Sequence, residues 1–474
     1  MSKLESFNKF NKIFKIIENF YVYLFFFYAM LGSINITHGS KIITPVMWLS
    51  FIIGFGIIVY RLFNYKKYYK MPALAALTLL LFSICLSTIL NYSYSFKENF
   101  ILCVYWAISF YIIYTRHEDK TSEEIKKDTE LFLKIFICYM TIAVIVSFVF
   151  LAAGVSEKIV RPETGDEIYI GFVIGRLWGV FLNPNQGAMS AALASAMLVY
   201  FIIKTRKKWL KALFIIDIFC MFMYIALSDS RTGAVFNGII FGTFFLCLFL
   251  YKTREKKLWL KIVSVFLSFL IIICGFIVPR QLKNIYNEGI TFTNSILHEE
   301  ENDDKGNFSD ALIDRGYDLS DDISNRRFDA WKGAVELFLH SPHTIIYGCS
   351  FRGFTEYAKE NQPDNYLVNN DYLDFTTLDN EFFNILDANG LIGIASAVFL
   401  IVCVLASLIK NYFKVEKRYQ PIIIIGVTTA IGLAAASMFG SVIFYNFSPN
   451  MVTFWFMLGS AMKVIKNSKE VKNK

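Results

Sequence analysis

The feature that most constrains this chain is an apolar run of about 20 residues that recurs along most of its length. About 20 residues of helix cross the hydrocarbon core of a bilayer. The backbone finds no water to bond there, so each run is expected to be a helix. The sequence therefore predicts an all-α membrane protein with about twelve spans, at residues 17–37, 42–60, 71–91, 99–115, 130–153, 187–203, 212–228, 232–251, 259–279, 382–409, 421–440 and 449–464.

The hydropathy of the chain as a whole agrees with this interpretation. Of the 474 residues, 55% are hydrophobic, and the mean hydropathy is +0.46. A basic stretch at residues 1–15 precedes an apolar run that is too long for a signal-peptide core. This start of the sequence predicts a first transmembrane helix.

The basic residues predict which side of the membrane each connection faces. Of the 47 lysines and arginines, 31 fall in seven segments at alternate connections, namely the N-terminus, 61–70, 116–127, 204–211, 252–261, 410–418 and the C-terminus. Because basic residues accumulate on the cytoplasmic side, both termini are expected to be cytoplasmic. The net charge of +8 is then explained by contact with anionic lipid, and nucleic acid is not indicated.

One connection differs from all others in length and charge. Residues 280–380 carry 19 Asp and Glu against 9 Lys and Arg, and the alternation places them outside the cell. The chain is thus expected to consist of nine spans in 1–279, an extracytoplasmic, partly helical loop in 280–380 that covers the site, and three spans with a basic cytoplasmic tail in 381–474.

Cationic and acidic side chains from separate parts of the sequence are predicted to meet at this outer face. They are Arg176 with Asn183 and Asn185 before span six, Arg231 between spans seven and eight, Arg326, Arg327 and Trp331 in the loop, and Asp379 with Asn380 before span ten. Guanidinium groups bind phosphate oxygens in bidentate fashion. A carboxylate or imidazole could take a proton from an attacking sugar hydroxyl.

Each of these residues also has a purely structural interpretation, which the sequence leaves open. Arg176 could anchor at the membrane interface, Arg231 could pair with Asp229, Arg326 or Arg327 could be solvated, Asp379 could cap span ten, and Asn183 and Asn185 could be turn formers. Two histidines of the loop, His340 and His343, are alternatives to Asp379 as the base. Asp217 lies inside a span, where a structural hydrogen bond is favoured over a catalytic role.

Five motifs occur in an order that resembles the O-antigen ligase and polysaccharide polymerase family, the Wzy-like membrane glycosyltransferases. The motifs are an arginine before Phe181-x-Asn183-Pro184-Asn185, then Ser230-Arg231-x-Gly233, Arg327-x-x-x-Trp331, Pro342 with Gly348 and Ser350, and Asp379-Asn380. The resemblance covers roughly residues 130–440.

The resemblance implies a GT-C-type inverting glycosyltransferase that uses an undecaprenyl-diphosphate-linked oligosaccharide, with no metal or other cofactor. It assigns Arg176, Arg231 and Arg327 to the diphosphate. Ligases of the family usually have His-Asn where this chain has Asp379-Asn380, and the Asp form resembles the polymerase branch.

The function predicted is a polymerase of a surface polysaccharide (capsular, exopolysaccharide or O-antigen type) in the bacterial cytoplasmic membrane. Its partners would be the lipid-linked oligosaccharide, membrane lipid, and a chain-length regulator and flippase of the same pathway. A ligase that transfers the glycan to a different acceptor, and a transporter or flippase of lipid-linked oligosaccharides, remain alternatives.

Overall fold

A computed structural model describes residues 3–160, 167–298, 312–313, 326–370 and 375–472. Its long helices are α1 (Lys3–Ser33), α2 (Ile43–Phe63), α4 (Leu74–Leu90), α5 (Phe96–Ile108, continued by a π-helical turn at Ser109–Tyr114), α6 (Ser122–Ala152), α7 (Pro184–Lys204), α8 (Lys208–Leu227), α9 (Arg231–Lys252), α10 (Leu258–His298), α14 (Glu381–Asn411), α15 (Gln420–Ala436) and α16 (Pro449–Lys472). Short helices are α3 (Tyr65–Tyr68), α11 (Arg327–Phe338), α12 (Pro342–Tyr347) and α13 (Phe354–Asn361).

Each predicted span coincides with one long helix. Within the described residues, nine helices are long and apolar enough to cross a membrane. The other three are α4 and α15, with 17 residues each, and α16. The chain is therefore an integral membrane protein, while the number of twelve spans stays a prediction.

The connections between the helices gather at two opposite faces. At the first, which we call the loop face, residues 34–42, 91–95, 167–183, 228–230, 341–353 and 437–448 meet. Hydrogen bonds such as Asn35 N to Val180 O (2.9 Å) and Asn91 Nδ2 to Gly348 O (3.0 Å) join these segments. At the second, the basic face, Lys15 pairs with Asp119 (3.5 Å) and Lys466 with Glu118 (2.5 Å). The start of α1 and the end of α16 lie at the basic face, which is the grouping that the charge pattern predicts.

The loop face carries a feature that the expectation of an all-α protein omits. Three short antiparallel strands, β1 (Ser156–Val160), β2 (Glu167–Val173) and β3 (Arg176–Gly179), form a sheet in the order β1-β2-β3 between α6 and α7. At Gly171 (φ +79°) an added Cβ would lie 1.9 Å from the carbonyl oxygen of Val155. Only glycine permits this close approach, so the residue fixes the sheet against the end of α6.

The core of the bundle is built around α16. Its residues from Met451 to Ile465 are almost all buried, Trp455 and Met457 completely. A helix that is buried on every side needs apolar residues all round, and α16 has them until its last two turns. There Lys463 and Lys466 approach Glu118, which is also buried.

The ninth predicted span does not end at the membrane boundary. Instead of stopping near residue 279, α10 continues as one helix of 41 residues to His298, with Pro279 inside it. The extension carries Arg280 and Lys283, and Asn287 on it exchanges two hydrogen bonds with the backbone of Ile313 (2.9 and 3.0 Å). Residues 299–311, 314–325 and 371–374 of the predicted loop lie outside the described residues.

Candidate functional site

Arg176 lies on β3 and is bound by the protein itself. Its side chain is 7% exposed. Its Nε donates to the carbonyl oxygen of Ser228 (2.8 Å), and an Nη donates to Oδ1 of Asn185 (3.0 Å). The guanidinium also lies 5.7 Å from the ring centroid of Trp178. Arg176 thus ties the sheet to the start of α7 and to the turn between α8 and α9, which is a positioning role.

The two asparagines of the Asn-Pro-Asn segment begin α7. Oδ1 of Asn183 accepts from the backbone nitrogens of Asn185 (2.9 Å) and Gln186 (3.4 Å), so Asn183 is the N-cap of the helix. Pro184 follows at the first helical position, where it has no hydrogen bond to lose. The described side-chain contacts of Asn183 are therefore those of a cap residue, whereas Asn185 accepts a hydrogen bond from Arg176.

Arg231 is the first residue of α9 and projects into an open cavity. Oγ of Ser230 accepts from the Gly233 backbone nitrogen (2.9 Å) and caps the helix. A Cβ on Gly233 would lie 2.4 Å from Cβ of Ala188, so glycine lets α9 pack closely against α7. The Ser-Arg-x-Gly motif therefore fixes Arg231 at a helix N-terminus, where the helix dipole also attracts an anion.

The cavity beside Arg231 has a volume of about 690 Å³ and lies between α8, α9 and α10. Its cations are Arg231, Arg280 and Lys283, and its one described acid is Asp229. Lys283 of α10 pairs with Asp229 at 2.9 Å. This ion pair joins α10 to the turn before α9. The described lining thus has a surplus of positive charge. It suits a ligand with several negative oxygens, such as a diphosphate.

Sequence reasoning missed Arg280 and Lys283 because the predicted span ended at residue 279. The signal was present, since residues three apart on a helix share a face, and the run 280–298 has no helix breaker apart from Gly289. Continuation of α10 past the apolar run turns both cations toward Arg231.

A second group forms where α11 meets the start of α14. An Nη of Arg327 lies 3.4 Å from Oδ2 of Asp379. Four residues on, Nε1 of Trp331 donates to the carbonyl oxygen of Leu378 (2.9 Å), and its ring stacks on Phe383 with centroids 5.2 Å apart. The structure therefore places Arg327 and Trp331 on the same face of α11 and brings that face to Asp379.

Asp379 is accessible and tuned by its surroundings. Its side chain is 49% exposed, while that of Arg327 is 27% exposed. Partial burial raises the pKa of this carboxyl above its ordinary value, and the neighbouring Arg327 guanidinium partly opposes the rise. A carboxylate with a raised pKa is a stronger base and still reaches solvent and ligand. The backbone of Asp379 has φ +50°, a strained conformation of the kind found at functional sites.

Asn380, and not Asp379, caps α14. Oδ1 of Asn380 accepts from the backbone nitrogens of Phe382 (2.8 Å) and Phe383 (3.4 Å), and its Nδ2 donates to the carbonyl oxygen of Met438 (3.1 Å). The alternative role of Asp379 as the helix cap is therefore taken by its neighbour. The carboxylate of Asp379 instead interacts with Arg327.

Glu381 is a residue of this group that the sequence did not single out. Its Oε1 accepts from three successive backbone nitrogens, of Val442 (2.8 Å), Ile443 (2.9 Å) and Phe444 (2.9 Å). The side chain is buried. Glu381 therefore fixes the connection between α15 and α16 against the start of α14, directly beside Asp379 and Asn380.

The other residues considered for the site have local roles in this structure. Arg326 is the half-buried residue before α11 and has φ +62°. His343 is 3.1 Å from Oδ1 of Asn91, and His340 packs edge-on to Tyr357. Asp217 accepts a hydrogen bond from Thr141 (2.8 Å), in agreement with the structural role that the sequence favoured.

The motif of Pro342, Gly348 and Ser350 crosses α14 at a break in that helix. Gly390 inside α14 has φ +59°, and an added Cβ would lie 2.6 Å from the carbonyl of Ile346. The nitrogens of Cys349 and Ser350 donate to the carbonyl oxygens of Asp387 (2.7 Å) and Ala388 (3.2 Å). The motif thus satisfies backbone groups that the break exposes and holds the loop onto α14.

The described contacts define two groups at the loop face. The first joins Arg176 to the turn that carries Arg231, and the second joins Arg327 to Asp379. Helix α9, which begins at Arg231, packs against α15, with Gly432 of α15 close to Phe236 and Ile240 of α9. That both groups bind one diphosphate stays a prediction.

Residues 216–398 match the family described as O-antigen ligase, Wzy_C. The similarity to the O-antigen ligase family extends over these residues. The matched part runs from within α8 into α14 and includes Arg231, Arg327 and Asp379. The resemblance derived from the motifs is confirmed for this part, and with it a glycan-transferring function in the membrane. No match was found among curated proteins.

Proposed function

We propose that the protein is a polymerase that joins undecaprenyl-diphosphate-linked oligosaccharide repeat units into a surface polysaccharide. The reaction would take place at the outer face of the bacterial cytoplasmic membrane, with the loop face outside and both termini inside. The observation that carries this proposal is the cationic cavity at the N-terminus of α9, inside the region that matches the O-antigen ligase family.

The cavity accounts for the leaving group. When the anomeric carbon–oxygen bond of the donor breaks, the electron pair stays on the diphosphate oxygen, and undecaprenyl diphosphate departs. Arg231, Arg280 and Lys283 line the space where such an anion can be held. Cations fixed in advance at the place where charge develops stabilise the transition state more than the ground state.

Asp379 accounts for the acceptor. A hydroxyl of the acceptor's terminal sugar attacks the anomeric carbon from the side opposite the diphosphate, and its proton passes to the carboxylate. This attack inverts the anomeric centre. Arg327 positions the carboxylate and keeps enough of it ionised to accept the proton.

The main alternative is a ligase that transfers a finished glycan to another acceptor, as the family description implies. It would use the same cavity and the same base. The residue at position 379 favours the polymerase, because ligases of the family usually have histidine there. The product decides between them, since a polymerase gives a ladder of repeat lengths and a ligase gives a single transfer.

The experiment uses the full-length protein in proteoliposomes, supplied with one synthetic undecaprenyl-diphosphate-linked repeat unit. We expect a ladder of products with wild type, and a loss of at least about 100-fold in rate with Arg231→Ala or Arg327→Ala, since a hydrogen-bonded transition-state contact is worth about 3 kcal/mol. Lys332→Ala is the matched control, because Lys332 on α11 is 78% exposed. Full elongation by Arg231→Ala would contradict the proposal.

Sidedness needs a separate measurement. Single cysteines at residues 229 and 352, introduced on a background without native cysteines, are expected to react in whole cells with a thiol reagent that does not cross membranes. A cysteine at residue 256 is expected to be protected. The reverse pattern would place the cavity in the cytoplasm and exclude an external polymerase.

A further inference from the structure

A pocket of about 280 Å³ opens at the basic face of the helix bundle. It lies between the starts of α6 and α15 and the ends of α7 and α9. Leu248 of α9 is part of its wall, and Arg231 is the first residue of the same helix. At 1.5 Å per residue these two positions are about 25 Å apart along the helix axis. The pocket, which we call the basic pocket, is therefore remote from the cavity at Arg231.

Three cations from separate parts of the chain line the basic pocket. They are Lys126 in the first turns of α6, Lys204 at the end of α7, and Arg418 just before α15. Among the described residues that line the pocket, none is acidic. Lysine and arginine side chains at the membrane surface attract anionic lipid, and basic pockets between transmembrane helices bind anionic headgroups. The lining therefore suits an anionic group at the level of the helix ends.

The protein itself neutralises only part of this positive charge. Lys204 pairs with Glu130, whose side chain is 14% exposed, so this cation is held within the bundle. Arg418 pairs with Glu416 at 2.9 Å, but the two side chains are 63% and 48% exposed, and such an exposed pair is weak. Lys126 is half-buried and forms no ion pair among the described residues. Lys126 and Arg418 are therefore the cations that can contact an anionic ligand.

The rest of the basic pocket is apolar and extends into the bundle. Its wall includes Ile203 of α7, Phe244 and Leu248 of α9, and Ile424 of α15. Helix α9 ends at Lys252, so Phe244 lies about 12 Å deeper than that end. Ile203 is 54% exposed, which leaves this wall open to the hydrocarbon around the bundle. A ligand that matches the pocket is anionic at the helix ends and apolar below them, whereas a free phosphate or an acidic peptide would not cover the apolar wall.

We propose that the basic pocket binds an anionic glycerophospholipid of the surrounding bilayer, with its phosphate between Lys126 and Arg418 and one acyl chain against Phe244 and Leu248. The inference does not rest on the proposed function, because the pocket shares no residue with either group of the candidate site. The bound lipid joins the start of α6 to the start of α15. A ligand that binds only the folded state stabilises it, so the lipid stabilises the bundle at this face.

The first test compares three additives in a thermal-shift assay of the full-length protein in one detergent. Phosphatidylglycerol carries the anion and the acyl chains, phosphatidylcholine carries the chains without the net charge, and glycerol phosphate carries the anion without the chains. We expect the apparent Tm to rise with phosphatidylglycerol and to stay nearly unchanged with the other two. An equal rise with phosphatidylcholine would remove the role of the cations, and an equal rise with glycerol phosphate would assign the pocket to a soluble phosphate instead of a lipid.

Matched charge variants assign the lipid to this pocket. Lys126→Gln and Arg418→Gln each remove one cation of the lining, and Lys127→Gln removes an exposed cation of α6 outside it. The Kd for phosphatidylglycerol is measured by native mass spectrometry. We expect the Kd to rise about fivefold for each lining charge removed and about 25-fold in the double variant, with a change below about twofold for Lys127→Gln. The same Kd in wild type and the double variant, or an equal loss with Lys127→Gln, would refute the inference.

A second measurement needs no variant and does not depend on how the variants fold. Phosphatidylglycerol with a diazirine on one acyl chain is incorporated into nanodiscs with the wild-type protein, and the cross-linked peptides are mapped by mass spectrometry after irradiation. We expect adducts around Ile203, Leu248 and Ile424, which a photoactivatable phosphatidylcholine does not give to the same extent. Adducts that avoid these positions, or equal labelling of them by both lipids, would overturn the proposal.

Discussion

Truncation of Glu381 is expected to destabilise the site, although Glu381 itself need not touch substrate. In wild type one carboxylate oxygen accepts from the backbone nitrogens of three consecutive residues, 442–444, at 2.8–2.9 Å. Glu381→Ala removes this acceptor and leaves three backbone donors without a partner, two of them buried and one half-buried. Each unsatisfied group costs about 1–3 kcal/mol. Partial relaxation of the loop reduces the sum, so we expect a loss of about 3–5 kcal/mol.

This loss of unfolding free energy corresponds to a measurable shift of the melting temperature. An unfolding entropy of about 2.1 cal/mol/K per residue gives about 1 kcal/mol/K for 474 residues. Glu381→Ala should then lower the apparent Tm by about 3–5 °C in a thermal-shift assay in one detergent. Elongation should fall as well, because the loop that Glu381 holds lies beside Asp379 and Asn380.

Two variants serve as controls for this prediction. Glu381→Gln keeps an oxygen that can accept the same bonds, so its loss should be no more than about half. Glu336→Ala removes a 52% exposed carboxylate of α11 and should cost less than about 0.5 kcal/mol. If Glu381→Ala melts within 1 °C of wild type, the three hydrogen bonds do not hold the loop.

Three further predictions test other parts of the structure. Gly390→Ala should cost about 2–4 kcal/mol, because its φ is +59° and its Cβ would collide with the 346 carbonyl, whereas Gly56→Ala, with open space around it, should be neutral or stabilising in the same thermal-shift assay. Burial lowers the pKa of His117 to about 4 from 6.5, so the folded state resists protonation of this side chain. Thermal stability should therefore fall by about 3 kcal/mol between pH 6.5 and pH 4. His117→Asn should flatten this dependence, and an unchanged pH profile in the variant would refute the prediction. Asp379→Asn should abolish elongation at every pH. Arg327→Ala removes the cation that lowers the pKa of Asp379, so the acidic limb of the residual rate should move to higher pH. An acidic limb at the same pH as in wild type would show that Asp379 is not the base.

The arrangement of the helices was predictable because both of its signals are local. Apolar runs of fixed length locate helices, and each predicted span coincides with one. Basic residues mark alternate connections, and the structure groups those connections at one face. The pairing of Arg327 with Trp331 on one side of α11 followed from their spacing of four residues.

The environment of the basic side chains in the folded protein was less predictable. The charge pattern assigned them to the membrane surface, yet Arg61 is 1% exposed and binds Glu18 at 2.7 Å. Arg116 is buried as well, and binds Asp128 at 2.7 Å. The first pair joins α1 to α2, and the second joins the turn before α6 to that helix. Composition does not reveal which charges will meet. Part of the basic rim therefore stabilises the bundle internally instead of facing lipid.

The site itself was predictable only in part. The residue types at its centre follow from the chemistry of a diphosphate and a hydroxyl. Arg280 and Lys283 depend on a helix that continues beyond the apolar run, and Glu381 depends on a contact between segments about 60 residues apart in sequence. The strands that carry Arg176 are too short and too interrupted by glycine to be recognised from periodicity.

The central claim is that the cationic cavity at the start of α9 binds a lipid diphosphate, and direct binding tests it most directly. Undecaprenyl diphosphate is titrated against the full-length protein in nanodiscs, and Kd is compared for wild type, Arg231→Ala and Lys332→Ala. Loss of a charge-assisted contact worth about 1.5–3 kcal/mol predicts that Arg231→Ala weakens binding about tenfold or more, with Lys332→Ala unchanged. Equal affinity of wild type and Arg231→Ala would contradict the account.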